Sequence, residues 1–166
     1  MTTKEFNDKL KRLQEKDYKA LEDIYNVYYS LLYATAYSVC NNKADAEDVA
    51  SNIIYKLTQL KTYEYIKNPR GYLYTITRHS ALDYKKQQKE VPLLFVEQCE
   101  SKTEFEAEIH IESCLSKLPD MEKTIVVEYV FAKFRFKEIA QRHNLSVATV
   151  KRRYKKAKLI LQDLLK

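Results

Sequence analysis

Apolar residues recur at every third or fourth position along most of this chain, and very little interrupts them. Among 166 residues there are one glycine and three prolines, so turn formers are scarce. Leu21, Tyr25, Tyr28, Leu32, Ala36 and Val39 advance by fours and threes. That spacing predicts a helix over 17–40 with Asp17 capping its start. Val49, Ile53, Leu57 and Leu60 make a second stripe, with Asp45 as its cap and Asp48 favouring its positive end. Leu73 and Ile76 anchor a third in "GYLYTITRHSALDYKK", after a loop marked by Pro69 and Gly71. No stretch alternates with period two over a useful length, so the expected fold class is all-α.

Residues 1–87 read as one helical domain. Residues 88–106 keep no clear period: Pro92 interrupts, acids collect after Glu97, and "PLLFV" leaves an apolar patch. This segment reads as a linker. Residues 107–166 form a second helical domain. A helix is expected near 106–117, and another with Pro119 at its first position, continued by Ile125, Tyr129 and Ala132.

Several function classes drop out. No apolar run approaches a membrane span. The N-terminus "MTTKEFNDKLKRLQEKDYK" lacks the pattern of a secretory signal, so the expected location is cytoplasmic, with no membrane insertion. Cys40, Cys99 and Cys114 contain no CxxC pair, which speaks against a disulfide framework. His110 and Cys114 with Cys99 lack a fourth zinc ligand at a familiar spacing, and thiols filling core gaps suit them better. There is no Gly-rich phosphate loop, no metal-ligand cluster, and no histidine near a plausible nucleophile and orienting acid. His79 and Asp83 are an ordinary i,i+4 pair. The chain is expected to be no enzyme and to need neither cofactor nor metal.

Charge is distributed unevenly. Residues 1–90 carry 15 Lys/Arg against 12 Asp/Glu, 91–128 carry 3 against 9, and 129–166 carry 11 against 2. A C-terminal segment of net +9 attracts polyanions. A merely solvated lysine face would interleave glutamates at i±4, whereas Asp163 is the only acid after Glu138. The footprint favours nucleic acid.

Within that segment, "FKEIAQRHNLSVATVKRRYKKAKLIL" (136–161) is broken at "HNLS". Phe136, Ile139 and Ala140 suit the buried side of a short helix; Val147, Val150, Tyr154, Ala157 and Leu161 suit that of the next. Asn144 can take the positive φ that a sharp exit requires. Leu145 then points back between the helices, Ser146 can cap the second, and small Ala140 allows close approach. This is a helix-turn-helix. Thr149, Lys151, Arg152, Lys155 and Lys156 fall on or beside the face opposite the buried stripe. Arginine can read guanine through two hydrogen bonds, while lysine mostly holds phosphate.

At these residues the chain resembles a known family. "LPDMEKTIVVEYVFAKFRFKEIAQRHNLSVATVKRRYKKAKLIL" is similar to the C-terminal promoter-reading domain of bacterial sigma-70-type factors, through Leu118-Pro119, Glu138-Ile139-Ala140 and Thr149-Val150-Lys151. "DAEDVASNIIYKL" (45–57) resembles the family's D-A-E-D-x-x-Q helix, which docks on the polymerase clamp helices. "NPRGYLYTITRHSALDYKKQQK" (68–89) resembles the helix that opens and reads the −10 element. Two such domains on a short linker have the layout of the extracytoplasmic-function subgroup. Ser51 replaces a usual Gln, His79 a common Asn, and Lys133 and Asn144 frequent Gly residues. A positive φ at Lys133 would cost about 1 kcal/mol relative to Gly.

The resemblance implies a transcription initiation factor that binds core RNA polymerase, at the β′ clamp helices and the β flap, and promoter DNA. An anti-sigma factor is a further partner it admits. Asp45, Glu47, Asp48, Ser51, Asn52 and Tyr55 would meet polymerase. Asn68, Arg70, Tyr72, Arg78, His79, Asp83, Lys85 and Lys86 would meet the −10 element, with Tyr63 and Tyr65 as further π faces in the preceding loop. Thr149, Lys151, Arg152, Arg153, Lys155 and Lys156 would meet the −35 element. The rival reading is a dimeric helix-turn-helix regulator acting without stable polymerase binding, which leaves the 45–87 motifs unexplained.

Overall fold

The structure, a computed structural model, describes residues 1–60, 65–90 and 106–164, and every side chain within them except those of 89, 90, 106–110 and 164. Helix is the only regular structure among the described residues. The expected linker therefore lies largely outside them, as do Tyr63, the "PLLFV" patch and Cys99.

Helix α2 (Tyr18–Cys40) is the strut of the molecule. Asp17 caps it as expected, accepting from the backbone N–H of Lys19 at 3.0 Å and of Ala20 at 3.3 Å. Seven consecutive residues, Leu31–Tyr37, are buried. A helix with one core face cannot bury every residue of two turns; this one is covered all round. Ala34 and Ala36 supply the small side chains that let neighbours approach. It packs against α1 (Thr3–Gln14), α3 (Lys43–Thr58) and α4 (Pro69–Glu90). It also packs against α5 (Glu106–Ser116) and α6 (Asp120–Val126), which continues into a π turn over Val127–Phe131. The polar N-terminus thus forms a helix that the stripe pattern did not single out. Thr2 and Glu5 make a reciprocal cap at its start, and Phe6, Leu10 and Leu13 are buried.

Helix ends explain the departures from expectation. Asn41 adopts φ 55° and closes α2. Asn42 is then extended, and its Oδ1 accepts from the Asp45 N–H at 3.0 Å. Asn42, not Asp45, caps α3. Pro69 and Gly71 lie inside the first turn of α4 rather than in a loop, because Asn68 caps that helix: its Oδ1 accepts from the Gly71 N–H at 3.0 Å. A Cβ on Gly71 would sit 2.7 Å from the Asn68 side-chain nitrogen, so any other residue there would make the capping amide shift. Helix α4 also runs to Glu90, three residues past the expected domain end. Pro119 immediately precedes α6 instead of opening it.

The C-terminal half ends in α7 (Phe136–Arg142) and α8 (Val147–Leu164). Lys133 does take a positive φ, 62°, and Asn144 one of 53°. The Asn144 N–H reaches the Gln141 carbonyl at 3.4 Å and the Leu145 N–H the Ala140 carbonyl at 2.9 Å, the two bonds of a Schellman exit. Ser146 caps α8 through the Thr149 N–H at 3.1 Å. Ile139, Ala140, Val150 and Ala157 are buried, while Val147 is 37% exposed and departs from its expected stripe. Val147 is the first residue of α8, one turn short of the crossing that covers Val150.

Candidate polymerase and nucleic-acid interfaces

The helix-turn-helix holds its cations in two layers. Glu122 of α6 is buried and draws Arg153 inward, Nη1 to Oε1 at 3.2 Å. Lys156 reaches the same oxygen at 3.7 Å while keeping most of its side chain in solvent. Arg153 thus ties α8 to α6 rather than facing outward with its neighbours. Lys151, Arg152 and Lys155 are exposed. Thr149 is half-buried, its hydroxyl 2.9 Å from that of Ser146. The outer layer is a row of cations on a rigid, capped helix.

On α3, Asp48, Ser51, Asn52 and Tyr55 are exposed and share one face by their three- and four-residue spacing. Tyr55 is 61% exposed. Asp45 and Glu47 are half-buried. Asp45 accepts from Gln88 Nε2 at 3.0 Å, and Glu47 lies 3.8 Å from Lys43. The expected docking residues therefore divide, with four presented and two drawn into α3 and its neighbour α4.

Between α3 and α4 runs an open groove of about 660 Å³ with Ile53, Leu57 and Ile76 among its apolar lining and Asn52, Lys56, His79 and Asp83 among its polar lining. Tyr72 lines it too. Its floor is apolar and its rim polar. Lys56 was not anticipated, because a lone lysine on a helix carries no motif.

Other expected −10 residues are engaged within the fold. Asn68 is the α4 cap. Arg70 donates to the Phe131 carbonyl at 2.9 Å and lies over the Tyr28 ring at 5.5 Å. Lys85 donates to the Val39 carbonyl at 2.9 Å, neutralising the end of α2. Arg78 is half-buried, and Lys86, His79 and Asp83 are exposed. The segment before α4 is pinned from α1: the Ile66 N–H donates to Asn7 Oδ1 at 2.9 Å, and Asn7 Nδ2 donates to the Ile66 carbonyl at 3.0 Å.

The two halves meet at Glu128. This carboxylate, 1% exposed, accepts from Tyr74 Oη at 2.7 Å and Arg142 Nε at 3.2 Å, and lies 2.8 Å from His143 Nε2. Tyr74 comes from α4; the other two end α7. The Arg142 guanidinium lies 5.0 Å from the Tyr74 ring centroid and 4.7 Å from that of Phe134. Burial pushes the Glu128 carboxyl up, but hydrogen bonds from His143 and Tyr74 and the adjacent positive charge outweigh it, leaving the group below its ordinary value. Burial foremost, then Glu128, raises the Tyr74 phenol. Ile125, Val126, Val127 and Glu128 are all buried, because α2 covers one side of this segment and the helix-turn-helix the other. Cys40 is pushed up to about 11, mainly by burial. Among the described residues no His/Cys/Asp/Glu group has the makings of a metal site, and no helix is long and apolar enough to cross a membrane.

Residues 24–91 match the family model of sigma-70 region 2, and residues 110–161 that of sigma-70 region 4. The chain is 29% identical over 142 residues to RNA polymerase sigma factor SigV of Bacillus subtilis (strain 168), covering 81% of this chain and 84% of that protein. Two solved structures share the fold. CnrH in complex with the cytosolic domain of CnrY superposes with a TM-score of 0.55 at 18% identity, covering 97% of each chain. The sigma factor RpoE in complex with the anti-sigma factor NepR from Bartonella quintana gives 0.55 at 20% identity, covering 90% of this chain and 97% of that one.

Proposed function

The chain belongs to the sigma-70 family of RNA polymerase sigma factors, in the extracytoplasmic-function subgroup, and from that premise we propose how its surfaces divide the promoter. It is an initiation factor that binds core RNA polymerase and directs it to promoter DNA. The N-terminal module, 1–87, takes the clamp helices and the −10 element; the C-terminal module, 107–166, takes the −35 element; 88–106 links them.

On α8, Arg152 reads base edges and Lys151 and Lys155 hold phosphate, with Thr149 and Lys156 at the margins and Arg153 as the anchor that sets the helix. On α3, Asp48, Ser51, Asn52 and Tyr55 meet the clamp, with Asp45 and Glu47 shaping the start of that helix. The α3–α4 groove receives a base turned out of the stack. Extrusion costs a few kcal/mol, offset by stacking on Tyr72 and by hydrogen bonds at the base edge, donated by Lys56 or His79 or accepted by Asp83. Arg78 and Lys86 hold the strand backbone, while Asn68, Arg70 and Lys85 act by shaping α4 and its surroundings. The family is one of non-enzymatic factors, and no residue here is assigned a covalent step. The protein works in the cytoplasm, where an anti-sigma protein is a partner of matching class.

The observation that carries this reading is region 2 and region 4 in order on one chain, the second with an uncovered basic helix. The match to region 2 leaves the stand-alone dimeric regulator unsupported. In vitro transcription with bacterial core polymerase on genomic fragments tests it. Specific start sites that appear only with the factor are expected; their absence on every fragment overturns it.

A further inference from the structure

We propose that Asn7 is a positioning residue for −10 recognition, and that helix α1 is thereby part of the promoter-reading apparatus. Asn7 is 3% exposed. Its amide grips both backbone groups of Ile66, so it fixes the direction in which the chain enters Asn68 and α4. The same Nδ2 also donates to the Thr3 carbonyl at 2.7 Å, so the amide ties the backbone of Ile66 to the first turn of α1, and such a buried polar link sets backbone geometry, not packing alone. Tyr65, 59% exposed, stands next to the gripped residue. Residues 1–23 lie outside the region 2 match, so the family pattern does not assign this role. The inference rests on the −10 reading above.

Asn7→Asp keeps the acceptor but turns the donor into an oxygen facing the Ile66 carbonyl; Asn7→Leu removes both. Each is expected to raise amide exchange at Ile66 and to lower discrimination between −10 variants about tenfold, the scale of the hydrogen bonds lost. Binding to a −35 duplex should stay unchanged. Unaltered Ile66 exchange overturns the clamp. A lower melting temperature with intact −10 discrimination overturns the positioning role. A wild-type chain without any −10 preference would instead sink the functional reading, while the exchange measurement still judges the clamp.

Discussion

The two surfaces proposed to face DNA are built on opposite plans. On α8 the outward cations have little to do inside the protein, because buried Glu122 takes Arg153 and only one flank of Lys156. On α4 the polar residues are employed first by the fold: Asn68 as a cap, Lys85 at the end of α2, Arg70 at the inter-module seam. What remains at the N-terminal surface is a shaped groove; what remains at the C-terminal one is a charged ridge. A ridge suits an intact duplex, whose grooves and phosphates are already arrayed. A groove suits a base that has left the stack.

The contrast can be broken most severely at Glu128. Glu128→Ala strands Arg142 and His143 at the seam and is expected to lower stability by about 3 kcal/mol, measured by urea unfolding. A change near zero would mean that the two plans are not coupled through that carboxylate. Glu128 sits below its ordinary value, so its stabilisation is complete above the normal carboxylate range and fades as pH falls through the depressed value. The stability gap between wild type and Glu128→Gln should therefore narrow on acidification.

Next in size is Arg152→Ala. It should lose about 2 kcal/mol on the preferred −35 duplex and little on altered ones, read by binding titrations. Equal loss on all duplexes would reduce the ridge to phosphate attraction. Asn68→Ala should cost about 1 kcal/mol of stability, the scale of an N-cap, and affect −10 binding only in proportion. A disproportionate loss of −10 binding would show that α4 serves DNA and fold with the same side chain. Smallest is Lys155→Ala, expected to weaken binding to every sequence alike and to reduce the salt slope by about one.

The same contrast explains what could be read beforehand. The helical stripes, the Asp17 cap, the turn at Asn144 and the Ser146 cap each depend on neighbours within a few positions, and all were visible in the residues. The positive φ at Lys133 was raised only as a condition, from the frequent Gly of the family it resembles. The α8 ridge was legible because no acids dilute it. Misplaced were features set by distant partners. Asp45 looked like a cap until Asn41 was seen to turn the chain and leave Asn42 in that position. Arg70 and Lys85 looked free because nothing local shows that the Phe131 and Val39 carbonyls need donors. Asn7 and Glu128 gave no signal, since a polar residue on a helix is ordinarily solvent-facing.

One consequence belongs to descent. The chain's single glycine is not spent on a left-handed turn; it makes room for the Asn68 amide. Asn68 and Gly71 should therefore tend to vary together as lineages diverge, and a relative that gains a methyl at the second position should seat its cap differently at the start of α4.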